Sequence, residues 1–184
     1  MGSDFEIIQE VLRGNRCLYG ELVRKYQHQI YALGFKFFRN QEDAEDFTQE
    51  VFLKAYQRLT TFRGESSFYT WLFRIGYFLG LSWNRRKRPA LPIPEDYDTP
   101  ELSGGPEQLH LRKDAVAVLR KALEELPERY RICLELYFTF GMTYQDIANV
   151  TDIPVGTVKS HVFRAKNRLK DLLSGTVAEG PHDM

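Results

Sequence analysis

The amino-acid sequence predicts an all-α fold in which two small helical domains are joined by a Pro-rich acidic linker. Apolar residues recur at three- and four-residue intervals in both halves, and no segment alternates as a strand would. Five of the eight prolines lie between Pro89 and Pro106, where they exclude a regular helix. Residues 143–172 have the pattern of a helix-turn-helix. The predicted segments are a first domain at 1–88, a linker at 89–107, a second domain at 108–174 and a tail at 175–184.

The composition is typical of a folded protein, since 43% of the 184 residues are hydrophobic and 14% are aromatic. No stretch approaches the roughly 20 apolar residues that cross a bilayer, and the amino terminus has neither a basic start nor a long apolar run. We therefore expect a cytoplasmic protein without membrane insertion. Cys17 and Cys133 lack His or Cys neighbours at ligand spacing, so we interpret them as two buried, reduced thiols. No metal or cofactor is expected.

The charges are segregated along the chain, although Lys plus Arg and Asp plus Glu each number 25. Residues 42–50 carry five acidic residues without a Lys or Arg, whereas 74–88 and 159–170 each carry five basic residues without an acidic one. Two separated basic segments suggest a polyanion that is contacted twice, whereas a single charge run is usually a solvated face.

Two amphipathic helices are predicted in the first domain after residue 39. Asn40 is expected to cap a helix that extends to Leu59, with acidic residues on its outer side. Its apolar side consists of Phe47, Val51 and Ala55. Ser66 is expected to cap the next helix, which runs to Arg88. The apolar side of that helix consists of Phe68, Trp71, Leu72, Ile75 and Leu79.

The second domain is predicted to begin with two helices that are separated at Pro127. The first has an apolar stripe of Val116, Leu119, Leu123 and Leu126. The second has a stripe of Tyr130, Cys133, Leu134 and Tyr137.

The helix-turn-helix follows. Thr143 and Asp146 have the spacing of a capping box, and Pro154 suits the first turn of the next helix. The apolar side of that helix consists of Val155, Val158, Val162, Ala165, Leu169 and Leu172. Its outer face consists of Thr157, Ser160, Arg164 and Asn167, flanked by Lys159 and Lys166 on one edge and by His161 and Arg168 on the other. Such a face fits a DNA major groove with phosphate contacts beside it, and the alternative is an ordinary amphipathic surface helix.

These residues carry a resemblance to a known family. The segment PVGTVKS at 154–160, followed by Phe163-Arg164-Ala165, resembles the carboxy-terminal DNA-binding domain of the extracytoplasmic-function (ECF) sigma factors of bacterial RNA polymerase. A second block resembles the family's promoter-melting domain and consists of Asp43-Ala44-Glu45-Asp46, Gln49-Glu50, Phe52, Phe62-Arg63-Gly64-Glu65-Ser66, Phe68 and Thr70-Trp71-Leu72-Phe73-Arg74-Ile75. The resemblance implies a subunit that binds core RNA polymerase and promoter DNA, recognises two promoter elements, opens the duplex, and is often held inactive by an anti-sigma factor.

For polymerase binding, the resemblance implies that the helix from Asp43 to Leu59 docks on a basic coiled coil of the polymerase clamp. The implied contacts are Glu45, Asp46, Gln49 and Glu50 around an exposed Phe52. Complementary charge and a packed anchor favour such docking, whereas without the resemblance a solvated acidic face is the preferred interpretation.

For the minus-ten element, the resemblance implies that the loop from Phe62 to Ser66 captures a base that is extruded from the duplex. The implied DNA-binding residues are Phe62, Arg63, Gly64 and Ser66, with Arg85, Arg86, Lys87 and Arg88 against the phosphate backbone. Trp71 is expected to belong to the core rather than to stack on a base. Phe78 stands where the family commonly has Asn, and it faces either DNA or the aromatic core, with the core as the preferred interpretation.

For the minus-thirty-five element, the implied contacts are Thr157, Lys159, Ser160, His161 and Arg164, with Lys166 and Arg168 nearer the phosphates. His161 stands where the family often has Arg, so the charge at this position depends on pH. Asp152 replaces a Gly that is frequent in the turn. The acidic linker residues Glu95, Asp96, Asp98 and Glu101 are implied to reach toward the polymerase interior, and a flexible tether is the alternative.

Two other classes of function fit less well. A stand-alone helix-turn-helix transcriptional regulator usually dimerises on palindromic DNA, whereas this chain carries two unlike basic segments. An enzyme is not indicated, because the sequence has no nucleophile elbow, phosphate-binding loop or cluster of metal ligands. The sequence therefore predicts a transcription initiation factor.

Overall fold

The computed structural model describes residues 3–87 and 118–174, with the backbone alone for residues 84–87. All regular elements in these ranges are helical, which confirms the predicted all-α class. The first of two compact units contains α1 (Asp4–Leu12), α2 (Tyr19–Phe38), α3 (Gln41–Gln57) and α4 (Phe68–Lys87), with 3-10 turns at Arg16–Leu18 and Leu59–Thr61. The helices from residue 118 onward are α5 (118–124), α6 (Glu128–Phe138), α7 (Tyr144–Thr151) and α8 (Val155–Leu173).

Several predictions concern residues outside these ranges. The acidic linker at 89–107, the tail at 175–184 and Arg88 are not among the described residues, and neither are the side chains of Arg85, Arg86 and Lys87. Within the described residues, no helix has both the length and the apolar character needed to cross a bilayer.

The starts of α3 and α4 are set by side chains that accept hydrogen bonds from the backbone. Asn40 Oδ1 accepts from the Asp43 amide at 3.2 Å, which confirms the predicted cap of α3. The residue in this role at α4 is Ser67 rather than the predicted Ser66, because Ser67 Oγ accepts from the Thr70 amide at 3.0 Å. The predicted helix start is therefore wrong by one residue.

The sequence pattern did not predict α1, a helix of 9 residues at the start of the described chain. A capping box fixes its start, in which the Ser3 amide donates to Glu6 Oε2 at 2.8 Å and Ser3 Oγ accepts from the Glu6 amide at 3.4 Å. Ile7, Ile8 and Val11 are buried, so α1 is part of the core of its unit.

Phe47 lies at the centre of the first unit. Its ring is fully buried, with its centroid 5.5 Å from that of Phe38 and 6.2 Å from that of Trp83. Helices α2 and α3 approach closely at Gly34, where an added Cβ would lie 2.6 Å from Phe47 Cδ1 and 3.3 Å from the backbone of Ala44. The missing side chain at this position therefore allows the two helices to cross.

The second unit is built on the packing of α6 against α8. Cys133 of α6 is fully buried, and so is the centre of the predicted apolar side of α8, which consists of Val158, Val162 and Ala165. Towards the ends of α8, Val155, Leu169 and Leu172 are only half-buried. The predicted apolar side of α8 is thus confirmed in its middle turns.

The two cysteines are free thiols in different environments. Burial raises the pKa of the Cys133 thiol to about 11. The expectation that both thiols are buried is wrong for Cys17, which is exposed because the turn Arg16–Leu18 buries none of its residues.

Replacing Gly34 tests the close crossing of α2 and α3. We expect Gly34→Ala to lower the free energy of unfolding by about 1–3 kcal/mol, because the methyl group overpacks the crossing against a buried ring and backbone atoms. The matched control on the same helix is Gly20→Ala, since a Cβ there would meet only Arg24 Nη1 at 3.5 Å, an ordinary contact. Ala favours a helix over Gly by about 1 kcal/mol, so the control should be neutral or more stable. Urea denaturation measures both, and a Gly34→Ala protein as stable as the control would contradict the crossing.

Candidate nucleic-acid and protein interfaces

The outer side of α3 carries four of the residues predicted to bind polymerase, which we call the acidic face: Glu45, Asp46, Gln49 and Glu50. The first three are exposed. Glu50 is half-buried, and its Oε1 lies 3.1 Å from Lys54 Nζ. The face therefore presents acidic groups to solvent along one side of the helix, where they can attract a basic partner.

Phe52 is buried, with 6% of its surface exposed, and the prediction that it is an exposed anchor beside the acidic face is wrong. Its carbonyl accepts a hydrogen bond from the Tyr19 hydroxyl at 2.7 Å, so the start of α2 covers this turn of α3. The exposed apolar side chains of α3 are instead Leu53, at 57%, and Tyr56, at 37%. Leu53 follows Gln49 by four residues, and this spacing could have placed it on the same side of the helix.

The loop at 62–66 begins in the core. The centroid of the Phe62 ring lies 5.7 Å from that of Phe68 and 5.5 Å from that of Trp71, and 9% of Phe62 is exposed. The ring thus anchors the loop and does not offer the predicted stacking face to a base. The following predicted residues are accessible: Arg63 and Gly64 are exposed and Ser66 is half-buried.

A cavity of about 400 Å³, which we call the groove, lies between α3, the turn Leu59–Thr61 and α4. Its lining combines apolar side chains with cations, among them Lys54, Arg58, Trp71, Arg74, Phe78 and Leu79. Single-stranded nucleic acid is bound by aromatic faces on which bases stack and by cations that neutralise phosphates. The groove offers both kinds of group.

Phe78 belongs to the wall of the groove rather than to the core. Its ring is 41% exposed, and the Arg74 guanidinium lies 5.1 Å from the ring centroid. The preferred interpretation of Phe78 as a core residue is therefore wrong. Trp71 is half-buried and lines the same cavity, so only part of its surface belongs to the core as predicted.

Helices α7 and α8 form the predicted helix-turn-helix. The capping box is confirmed, since the Asp146 amide donates to Thr143 Oγ1 at 3.1 Å and the Thr143 amide donates to Asp146 Oδ2 at 3.2 Å. Asp152 in the turn has a φ of 60°, a left-handed conformation that Gly adopts freely and that Asp tolerates better than most residues. Pro154 stands immediately before Val155, the first residue of α8.

The outer face of α8 presents most of its predicted DNA-binding side chains to solvent. The exposed residues are Thr157, Lys159, Arg164, Lys166, Asn167 and Arg168. Ser160 and His161 are half-buried. Lys166 Nζ lies 4.9 Å from the centroid of the exposed Phe138 ring, which holds this cation at one edge of the face.

His161 turns from the outer face toward α6. Its ring centroid lies 5.1 Å from that of Tyr130, and its Nδ1 lies 3.7 Å from Cys133 Sγ. Tyr130 also accepts a hydrogen bond from Arg164 Nη1 at 3.4 Å. Burial lowers the pKa of His161, and the guanidinium groups of Arg129 and Arg164 lower it further. The imidazole therefore favours its neutral form and packs between the two helices.

Phe163 is a candidate interface residue that the sequence reasoning did not place on this face. It is 65% exposed on α8. Its position three residues after Ser160 and four before Asn167 is the signal that could have assigned it to the outer face. An exposed ring here can contact the apolar edge of a base.

Comparisons with known proteins match both halves of the chain. A family model described as Sigma-70 region 2 matches residues 22–89, and one described as Sigma-70, region 4 matches residues 117–169. The RNA polymerase sigma-H factor of Pseudomonas aeruginosa is 36% identical over 189 residues, which cover 96% of this chain and 97% of that protein. The ECF RNA polymerase sigma-E factor of Escherichia coli K12 is 34% identical over 177 residues, or 91% of this chain and 92% of that protein.

Two solved structures have a similar fold. CnrH in complex with the cytosolic domain of CnrY gives a TM-score of 0.69 at 24% identity, over 94% of this chain and 98% of that chain. The sigma factor RpoE of Bartonella quintana in complex with the anti-sigma factor NepR gives 0.67 at 24% identity, over 85% of this chain and 97% of that chain.

The lowered pKa of His161 predicts how stability depends on pH. The unfolded chain binds a proton at this residue more readily than the folded chain, so folding should weaken as pH falls below about 6.5, the ordinary pKa of His. His161→Gln cannot titrate and should lose less stability than the wild type between about pH 7.5 and about pH 5.5. Asn167→Gln, at an exposed position of the same helix and without a titratable group, is the control and should follow the wild type. Thermal unfolding across this range measures the difference, and parallel curves for His161→Gln and wild type would refute the prediction.

Proposed function

Because the chain belongs to the ECF sigma factors, which direct RNA polymerase to promoters, we propose that its two units divide promoter recognition between them. The first unit binds the minus-ten element and stabilises the melted duplex, and the helix-turn-helix binds the minus-thirty-five element. As a sigma factor the protein is a transcription initiation factor and not an enzyme. It acts in the cytoplasm, where its polymerase works.

The observation that carries this proposal is the groove beside the loop at 62–66, where Trp71 and Phe78 stand among Lys54, Arg58 and Arg74. Extruding a base from a duplex costs a few kcal/mol of lost stacking and pairing. A pocket recovers that cost when aromatic faces stack on the base and cations approach the adjoining phosphates. An ordinary surface depression has no need of exposed aromatic rings.

Several first-unit side chains assist the groove in this proposal. Arg63 and Ser66 offer donors at the loop, and Gly64 supplies the left-handed turn, with a φ of 74°. The cations Arg85, Arg86, Lys87 and Arg88 bind the phosphate backbone, since four consecutive cations cannot all face one base edge. These four contribute affinity and little sequence preference.

In the helix-turn-helix, Thr157, Lys159 and Arg164 contact base edges of the minus-thirty-five element. Phe163 adds an apolar contact, while Ser160 stands at the margin of the face. Lys166 and Arg168 neutralise phosphates. His161 acts indirectly, because its neutral ring packs on Tyr130, whose hydroxyl accepts a hydrogen bond from Arg164.

Core polymerase docks on the acidic face in this proposal. Exposed carboxylates steer a basic partner surface, and Leu53 and Tyr56 provide the apolar contact that the sequence reasoning had assigned to Phe52. An anti-sigma factor is a second protein partner, which is supported by the solved relative RpoE in complex with NepR. A stand-alone regulator is disfavoured, because it has no need of an acidic docking face and a groove for an extruded base.

Charge reversal on the acidic face tests polymerase docking. Asp46→Lys should weaken association with core polymerase, and it should slow the on-rate most at low salt, because like charges then meet. Glu125→Lys makes the same change at an exposed residue after α5 and should have no effect on core binding. Leu53→Ala should instead raise the dissociation rate with little change in the salt dependence. Wild-type on-rates for Asp46→Lys at low salt would leave the acidic face without a docking role.

Run-off transcription tests the function as a whole. Core polymerase should initiate at mapped start sites only when this protein is present, and base changes in either promoter element should lower the yield. Phe78→Asn should still fold, with a loss of about 1–2 kcal/mol, since the partly exposed ring loses its contact with Arg74 and an edge-on contact with the Tyr77 ring at 5.3 Å. It should change the preference for bases in the minus-ten element, because an amide donates and accepts hydrogen bonds whereas Phe only stacks.

Phe138→Asn is the matched control for Phe78→Asn, because it removes an exposed ring from α6. It should leave the minus-ten preference unchanged. If the folded Phe78→Asn protein kept the wild-type preference for minus-ten bases, the groove would not be part of the DNA-binding site. If this protein footprinted promoter DNA as strongly without polymerase as with it, a stand-alone regulator would be favoured instead.

A further inference from the structure

We propose that α1 is a positioning element for the minus-ten loop at 62–66, and that it acts through Phe5. This inference rests on the function proposed above for that loop and the groove. It assigns a role in promoter opening to a helix that lies before the matched sigma region 2, which begins at residue 22.

Helix α1 is held firmly enough to position a loop. Beyond its capping box and buried residues, Asp4 makes two contacts with α2: its Oδ1 lies 2.6 Å from Lys25 Nζ, and its other carboxylate oxygen accepts a hydrogen bond from the Tyr26 hydroxyl. Lys25 and Tyr26 are neighbours in one turn of α2, so this pair of contacts fixes both the position and the rotation of α1. The side chain that follows Asp4 therefore has a defined direction.

That next side chain is Phe5, and its ring lies against the loop at Gly64. A Cβ added to Gly64 would lie 3.3 Å from Phe5 Cε2 and 3.5 Å from Phe5 Cδ2, so the ring occupies the side of the turn where a side chain would be. Phe5 is nevertheless 48% exposed. A ring that is this exposed contributes less to the core than a buried Phe would. Its contact with the loop is therefore the feature that explains its position.

A second path links α1 to the same loop through the aromatic core. Tyr26, which donates to Asp4, has its ring centroid 5.8 Å from that of Phe68. Phe68 lies 5.7 Å from Phe62, the anchor of the loop, and Phe62 lies 5.5 Å from Trp71 in the wall of the groove. Helix α1 thus supports the loop at its anchor and at its left-handed turn.

The physical consequence is preorganisation. A loop that already has its binding conformation loses less conformational entropy when a base enters the neighbouring groove. Removing the Phe5 ring frees the turn at Gly64 without opening a cavity in the core, because half of the ring already faces solvent. DNA binding should therefore weaken while the fold persists.

The experiment measures binding of holoenzyme, formed from core polymerase and the full chain, to fork-junction DNA with a single-stranded minus-ten segment. Phe5→Ala should weaken this binding by roughly 3- to 10-fold and flatten the preference among minus-ten sequences. Phe5→Tyr keeps the ring and should restore both. The matched control is Leu12→Ala, which removes a 42% exposed side chain from the other end of α1. Core binding and the melting temperature of Phe5→Ala should stay close to those of Leu12→Ala.

A double-mutant cycle tests the contact itself. Gly64→Ala should weaken fork binding, and adding Phe5→Ala should cost less in that background than in the wild type, because the new methyl group and the ring compete for one space. The inference would be overturned if Phe5→Ala bound fork DNA with the same affinity as Leu12→Ala. It would also be overturned if the two substitutions had strictly additive effects on the binding free energy. Wild-type holoenzyme with no preference for the minus-ten strand would overturn the proposed function of the groove and this inference together. Wild-type preference with an unaffected Phe5→Ala protein would overturn the inference alone.

Discussion

The first unit depends on the burial of one ring, that of Phe47, where α2, α3 and α4 meet. The helices can close around it because Gly34 and Gly76 have no side chains, and a Cβ at Gly76 would lie only 3.0 Å from Leu33 Cδ2 of α2. Once this side of α3 is committed to the core, its acidic residues must lie on the opposite side. The surface that we assign to polymerase is therefore a consequence of how the core packs.

The many aromatic residues of α4 affect its exposed surface as well as the core. One side of this 20-residue helix is buried against its neighbours, and its most deeply buried large side chains are Phe68, Leu72 and Phe73. Two further rings of this helix, Trp71 and Phe78, lie at the boundary and form a wall with basic side chains beside them. Exposed aromatic surface is costly in a protein with no partner, and stacking bases can offset that cost.

In the second unit, one helix has to serve both the core and the exterior. Val158 and Val162 commit one side of α8 to α6, and this places Lys159 and Arg164 outward. His161 stands between these two sides. An Arg at this position could extend into solvent, whereas the shorter imidazole rests on Tyr130 and favours its neutral form. In the function that we propose, His161 therefore supports Tyr130 and Arg164 and makes no direct contact with DNA.

The sequence by itself determined the helical class, the cap at Asn40, the capping box at Thr143 and Asp146, the apolar side of α8 and the family. These features follow from spacings of three or four residues and from motifs, which a chain carries locally. Only the tertiary structure decided which aromatic rings are inside. It buried Phe52 and Phe62, and it exposed the side chains of Leu53, Phe78 and Phe163. The physical reason is that successive residues of a helix turn by about 100°, so a segment rich in apolar residues offers several possible buried stripes. The neighbouring helices, brought together by close approaches such as that at Gly34, select one of those stripes.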